Sequence, residues 1–322
     1  MPPGVRFGVT VPLPGVSLAE HAAPLEALQR AGVHDFWTQE VQDFDALTPL
    51  AAVAPLAPGA RLGAAIAGVF TRGPALLAME AAALSDAAPG RFVLGVGSSS
   101  APVVSGWNGL PFEHPLARVR DSVRFLKRAL VGERIDEDFE SFRIRGFRLE
   151  HPPRRPPPVL VAALRPRMLR LAGEEADGAC LGVLTADDVA QVAPLVRAGG
   201  AHKEIVLRVA VLVTPDAEQG RAWARKIVGP YLNVETYARF HTWLGREAAL
   251  RPCWRAWQVG DRASALAAIP DALLDGLVVH GSPERCRSQL RRFVEAGVTT
   301  LIVNVVRPPE PLAEILAAIL PT

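Results

Sequence analysis

The chain has 322 residues, 49% of them hydrophobic and 21% charged, a globular composition that supplies ample apolar surface for a core and excludes low-complexity disorder. With 35 basic against 33 acidic residues the formal charge is +2 and no long like-charge block stands out, so nothing marks a nucleic-acid partner. The three cysteines, Cys180, Cys253 and Cys286, are far apart and form no CxxC, which excludes a disulfide framework or a zinc knuckle. The seven histidines show no metal spacing, so no metal is expected.

Short apolar runs alternate with Ala- and Leu-rich helical stretches. Residues 5–11 read as a strand, and 17–31 as a helix capped by Ser17 and ended by Gly32. The second strand is 36–39 and its helix runs from about 45 to 56. The third strand is 61–67, followed by a helix over 75–87 entered through Pro74. Strand four is 92–96 and helix four 116–130. The alternation then pauses: residues 141–149 alternate apolar and basic side chains, as a hairpin arm with one solvated face does. A Pro-rich stretch, 151–158, returns the chain to the core. Strand five is 159–162 and helix five 168–175. Strand six is 179–182, with a helix within 186–198. Strand seven is 205–213, with a helix over 217–227. From Tyr231 to about Val259 lies an aromatic-bearing helical insertion. A helix over 283–296, a last strand over 300–305 and a closing helix over 311–319 complete the chain.

Eight near-continuous apolar strands alternating with helices specify a parallel sheet covered by helices. Length and count favour an α/β fold of the closed (β/α)8 TIM-barrel kind, with insertions after strand four and after strand seven, and one domain over 1–322. The N-terminus lacks the basic start, apolar stretch and cleavage site of a signal peptide, and no apolar run reaches membrane-spanning length. A cytoplasmic protein with no membrane partner is the expectation.

In such a barrel the chemistry sits where strands end and βα loops begin. Gly95, Gly97, Ser98, Ser99 and Ser100 follow strand four: glycines let backbone approach a ligand, and hydroxyls bond phosphate or ring heteroatoms. It is not a dinucleotide fingerprint, because Ser100 replaces the third Gly and Pro102 breaks any immediate helix. A plain strand-to-loop turn is the alternative. Ala163, Leu164 and Arg165 precede helix five, where backbone amides and a guanidinium make a phosphate site. Glu40 closes strand two and is a partner for a ring or hydroxyl, or else a solvated carboxylate. Thr10 ends strand one, and Trp107 is either a stacking surface or a loop anchor. His280 reads as a loop or capping residue. There is no GxSxG elbow, which disfavours that class of hydrolase.

Taken together, FTRGP at 70–74, GRFVLGVG at 90–97, the serines at 98–100, GWNGLPF at 106–112, VAALRP at 161–166 and ADG at 176–178 resemble the luciferase-like monooxygenase superfamily. Within it the chain is most similar to the deazaflavin branch, the coenzyme F420-dependent oxidoreductases, over about Val5 to Val305. The resemblance implies coenzyme F420 at the C-terminal strand ends, with FMN as the alternative cofactor. It also implies a non-proline cis peptide near Ala65 and Ile66 behind the ring. Gly97, Ser98 and Ser99 match the loop beside the ring, Leu164, Arg165, Gly182 and Val183 the phosphate contacts, and Glu40 the acidic position after strand two. A homodimer acting on a small-molecule substrate is implied as well. Thr10, Ser100 and Trp107 remain substrate-pocket candidates.

One departure bears on the substrate. Sugar-phosphate dehydrogenases of this branch place a His after the acidic residue and a Glu in the strand-four loop. Val41 and, approximately, Ser100 stand there instead. Hydride transfer to or from an apolar substrate with an activated C=C or C=O fits better. The rivals are an FMN-dependent monooxygenase and, from another class, a non-catalytic deazaflavin carrier.

Overall fold

The computed structural model describes residues 4–306 and 311–321; Met1, Pro2 and Pro3, which entered the reading of the N-terminus, lie outside the described residues. In chain order the elements are β1 (Arg6–Thr10), α1 (Ala22–Arg30), β2 (Asp35–Thr38), α2 (Thr48–Val53), β3 (Arg61–Gly68), α3 (Pro74–Ala87), β4 (Phe92–Gly97) and α4 (Pro115–Ala129). A two-stranded hairpin, β5 (Ile135–Asp138) and β6 (Arg143–Phe147), interrupts the alternation. Then follow β7 (Val159–Ala162), α5 (Pro166–Glu175), β8 (Gly178–Gly182), α6 (Ala186–Arg197), β9 (Glu204–Val213) and α7 (Ala217–Leu232). The second insertion holds α8 (Glu235–Trp243), α9 (Glu247–Gln258), α10 (Arg262–Ala267) and α11 (Asp271–Leu277), and leads into β10 (Val278–Gly281). The chain closes with α12 (Pro283–Glu295), β11 (Thr300–Val305) and α13 (Leu312–Ile319).

Eight parallel strands close into a ring in the order β1, β2, β3, β4, β7, β8, β9, β11 and back to β1. The (β/α)8 barrel expected from the alternation is therefore present. The strands read as continuous apolar runs because the barrel interior and the helix layer bury both of their faces; β4 is buried along its whole length. The helices start where the sequence supplies a proline at the first position or a capping side chain. Pro74, Pro115, Pro166 and Pro283 open four of them, and Thr185 with Asp188 forms a capping box on α6.

Inside the ring, Trp37 is fully buried and fills the middle. Small neighbours make room for it: a Cβ on Gly63 would stand 2.2 Å from the indole, and one on Gly8 2.6 Å. Below Trp37 the barrel floor is a charged lattice. Arg61 bonds Asp35, Glu204 and the Thr300 hydroxyl at 2.7, 2.7 and 2.9 Å, while Arg6 Nε donates to Asp35 at 2.8 Å.

Several expectations need correction. Ser17 makes no side-chain cap; a 3-10 turn over Leu18–Glu20 intervenes and α1 begins only after His21. Pro102 does not forbid helix after β4: it opens a π-helical turn, Pro102–Trp107, where its missing N–H costs nothing. The hairpin partner β5 escaped notice because Asp136, Glu137 and Asp138 look like loop. His280 is no loop residue. It lies in β10, fully buried, with Nε2 2.9 Å from Asp275. That strand exists because ten-residue β9 outlasts β8, and its end from Ala210 takes β10 as a new partner.

Candidate active site at the barrel mouth

Alternation along the strands decides which side chains look inward. Trp37, Val93, Leu160, Cys180, Val206 and Ile302 form one interior layer, with Ala65 and Ile66 packed on it. Two residues on, the same strand faces present Gln39, Gly95, Ala162, Gly182, Arg208 and Asn304 towards the C-terminal mouth.

One arc of the mouth is built from β3, β4, β7 and β8. The Ala65–Ile66 peptide is cis, at the position the resemblance implies, and the β3–β4 register shifts between Ala64 and Ala67. A Cβ on Gly97 would lie 2.8 Å from Ala162 Cβ and 3.1 Å from Ile66 Cδ1, so these residues form one tight wall. At Gly182 the same atom would meet nothing within 4 Å: the wall opens there. Ser99 and Val183, in the adjoining loops, are two of the three non-glycine residues with positive φ among the described residues, at 59° and 60°. Left-handed backbone of this kind costs on the order of 1–3 kcal/mol per residue and concentrates at ligand sites. Ser98 Oγ donates to the Ser99 carbonyl at 3.2 Å.

The phosphate candidates lie next along this arc. Ala163 is buried and its N–H donates to the Cys180 carbonyl at 3.1 Å, which ties β7 to β8. Leu164 is half-buried, and Arg165 is the exposed residue that precedes α5. Arg165 has no carboxylate within ion-pair distance among the described residues. In the first turn of α5, Pro166 has no N–H and the Met168 and Leu169 N–H groups both donate to the Arg165 carbonyl at 3.0 Å, which leaves the Arg165 guanidinium and the Arg167 N–H as the donors of this corner.

Glu40 is fully engaged. Its Oε2 accepts the Ala46 N–H at 3.1 Å and the Arg72 Nη1, and its Oε1 accepts the Thr71 hydroxyl at 3.3 Å. It thus joins the loops after β2 and β3. A Cβ on Gly68 would lie 3.5 Å from Glu40 Oε1 and 3.9 Å from Ser99 Cβ, so both border one corner. Burial pushes the neighbouring Glu80 carboxyl up, although Arg72 at 3.2 Å opposes this.

The substrate-pocket candidates separate. Thr10 Oγ1 is buried without a hydrogen-bond partner, as is Trp37 Nε1 beneath it. Ser100 accepts the Val104 N–H at 2.9 Å and starts the π-helical turn. Trp107, at the end of that turn, is 51% exposed and has no aromatic partner among the described residues, so the structure does not bring it to the interior.

Three residues escaped the sequence reading. Arg208 projects inward from β9 and reaches over to β2, where Nη2 donates to the Thr38 carbonyl at 3.0 Å and Nη1 to Gln39 Oε1. Burial draws its guanidinium down to about 10, against the pull of Tyr231, Cys180 and Tyr237. Burial, and then Tyr231, push the Tyr237 phenol up to about 12. The signal for Arg208 was a single basic residue at an inward position of an otherwise apolar strand. The tyrosines gave none, since α7 and α8 had no assigned place over the mouth.

Comparison with known proteins accords with this architecture. The model of the luciferase-like monooxygenase family matches residues 5–300. A Mycobacterium tuberculosis protein that carries the name of a coenzyme F420-dependent oxidoreductase is 26% identical, with 94% of this chain and 96% of that one covered. The 5,10-methylenetetrahydromethanopterin reductase of Methanolobus tindarius is 24% identical over 93% and 94%. Among solved structures, the coenzyme F420-dependent tetrahydromethanopterin reductase of Methanopyrus kandleri superposes with a TM-score of 0.79 at 18% identity, covering 98% of this chain and 96% of that one, a likeness of fold. The matched model spans the barrel from β1 to the start of β11, and the chain belongs to the luciferase-like monooxygenase family.

Proposed function

We propose that the protein is an F420-dependent oxidoreductase that passes hydride between the deazaflavin and an organic substrate in the barrel mouth. The observation that carries this reading is the wall of Ile66, Gly97 and Ala162, which opens at Gly182, with the exposed Arg165 at the start of α5 on the neighbouring strand's loop. These residues fit a flat ring with a phosphate-bearing side chain: small side chains leave space, and Arg165 has no carboxylate partner among the described residues. Ala65 and Ile66 would back the ring, Gly97, Ser98 and Ser99 would flank it, and Leu164, Arg165, Gly182 and Val183 would hold the phosphate. When bound, a reduced deazaflavin supplies hydride from C5 and carries essentially no oxygen chemistry.

The chain's own contribution is orientation and exclusion of water. Val41 and Ser100 stand where sugar-phosphate dehydrogenases hold acid–base side chains, which argues for an activated C=C or C=O acceptor with an apolar body. The Mycobacterium tuberculosis relative named for F420 dependence, which covers 94% of this chain, supports the cofactor. A homodimer belongs to the same proposal, and light scattering of the purified protein tests it.

The functional test is equilibrium binding of F420 and, separately, FMN, followed by fluorescence and absorption. Tight F420 with weak FMN binding is expected and justifies turnover assays with enones, imines and alcohols. Preference for FMN would move the protein to oxygen chemistry, and binding of neither would refute both cofactors.

A further inference from the structure

Opposite the wall of β3, β4, β7 and β8, the mouth holds a cation, Arg208, that no carboxylate among the described residues balances. Register with Ile302 of β11 and Gly182 of β8 places Arg208 above the interior layer, one step past Val206. Its side chain passes β11 and β1 in the ring and ends at β2. Its two hydrogen-bonding partners, the Thr38 carbonyl and the Gln39 side-chain carbonyl, are neutral. Among the described residues no Asp or Glu lies within ion-pair distance of it, although the barrel floor neutralises both Arg6 and Arg61 with Asp35 and Glu204. Every other inward side chain of that layer, Gln39, Ala162 and Asn304 included, is uncharged.

A guanidinium has five N–H donors, and these two bonds leave the remainder unassigned. Tyr231 and Tyr237, the only tyrosines in the chain, stack edge to face at 5.6 Å over α7 and α8, close enough for the Arg208 charge to act on both. Neither phenol oxygen has a hydrogen-bond partner among the described residues. With the orphan Thr10 hydroxyl on β1, this arc is rich in donors, and the Glu40 carboxylate next to Gln39 is taken up by Arg72, Thr71 and the Ala46 N–H. Arg208 is half-buried, and an anion that reaches it there would form a charge-assisted pair.

We infer that Arg208 is the subsite for a carboxylate on the substrate. The substrate class is then an organic carboxylate whose reducible carbon faces the opposite wall. Arg208 is a specificity-determining residue: its planar fork matches a carboxylate through paired N–H bonds. The inference rests on the proposal that the mouth is the substrate site, and it narrows the apolar body to one carrying a single anionic group.

The test uses the purified full chain with benzoate and its neutral analogue benzamide as probes, followed by calorimetry. Benzoate is expected to bind at least about tenfold more tightly than benzamide, as a charge-assisted pair requires. Arg208→Met should abolish that preference, Arg165→Met should keep it, and saturating F420 should leave benzoate bound. Equal binding of the two probes by the wild type overturns the inference without any variant. So does a preference that survives Arg208→Met or disappears with Arg165→Met. Displacement of benzoate by F420 overturns it too, because Arg208 would then serve the cofactor's own anionic groups. Should Arg208→Met fail to fold, Arg208→Gln replaces it with the same expected loss. F420 binding is read separately from its absorption: benzoate preference without F420 binding would remove the cofactor proposal and leave this subsite standing.

Discussion

Asp35 and Arg61 meet on the barrel floor with Oδ2 2.7 Å from Nη2, and the Asp35 side chain is entirely buried. Burial works against the Arg61 charge, but Asp35 and Glu204 together outweigh it and its pKa is raised. Arg6 shares the same carboxylate. Removing that one negative charge leaves two guanidinium groups with too little compensation. Asp35→Asn is therefore expected to destabilise the fold by about 3–5 kcal/mol, measured by urea unfolding. Because the floor is remote from the mouth, F420 affinity under native conditions should be unchanged. A variant as stable as wild type would show that the lattice contributes nothing net.

Gly182 separates stability from ligand binding. Nothing among the described residues lies within 4 Å of the Cβ it lacks, so Gly182→Leu adds a side chain whose first carbon enters open space. Its melting temperature should stay within about 4 °C of wild type, the shift of roughly 1 kcal/mol or less in a chain of this size. If the ring lies against that opening, F420 affinity should fall by at least about tenfold, a loss of about 1.4 kcal/mol. Unchanged F420 affinity in a folded Gly182→Leu would remove this wall from the cofactor site.

How much of this was legible in the sequence follows from what each pattern reports. Apolar runs bounded by turns report burial on both faces, and so the eight ring strands were readable while β10, inside a long insertion, was not. The positions of Gly182 at a strand end and Arg165 before a helix were readable, because strand ends and helix starts mark the mouth. Glu40 was found by the same rule, but its hold on Arg72, 32 residues away, is a tertiary fact that spacing does not encode. Arg208 was visible as a polar interruption of an apolar strand, and only the register with β8 and β11 shows that it points inward. Tyr231 and Tyr237 depend on where an insertion folds back, which local propensity does not determine.

Arg165 offers a test of the phosphate corner. It is exposed, precedes α5 and lacks a carboxylate partner among the described residues. Arg165→Met should weaken F420 binding about tenfold in dilute buffer, a typical charge-assisted contribution. Because screening suppresses an exposed charge, the wild-type advantage should shrink when salt is raised to about 0.5 M. Titrations at low and high salt check this, and a variant whose deficit is the same in both would point to lost packing instead of lost charge.

His241 gives the protein a calculable acid sensitivity. It is fully buried at the end of α8, with Nδ1 3.1 Å from Arg246 Nη1, and Nε2 has no hydrogen-bond partner among the described residues. Burial first, and then the Arg246 charge, lower its pKa to about 4, while Asp188 opposes them. Arg246 is itself held by Asp188 at 2.6 and 2.9 Å. The folded state therefore keeps His241 neutral, whereas the unfolded chain binds a proton near the ordinary histidine value of about 6.5. Between those values the unfolded state holds more protons, so stability falls as pH falls from about 6.5 towards 4. From pH 7 to pH 5 this group alone should cost about 2 kcal/mol. Urea unfolding of wild type and His241→Phe at both pH values measures it. The variant loses the Arg246 contact and starts less stable, but its pH slope over this interval should be shallower by that amount, and an identical slope would assign the acid sensitivity to other groups.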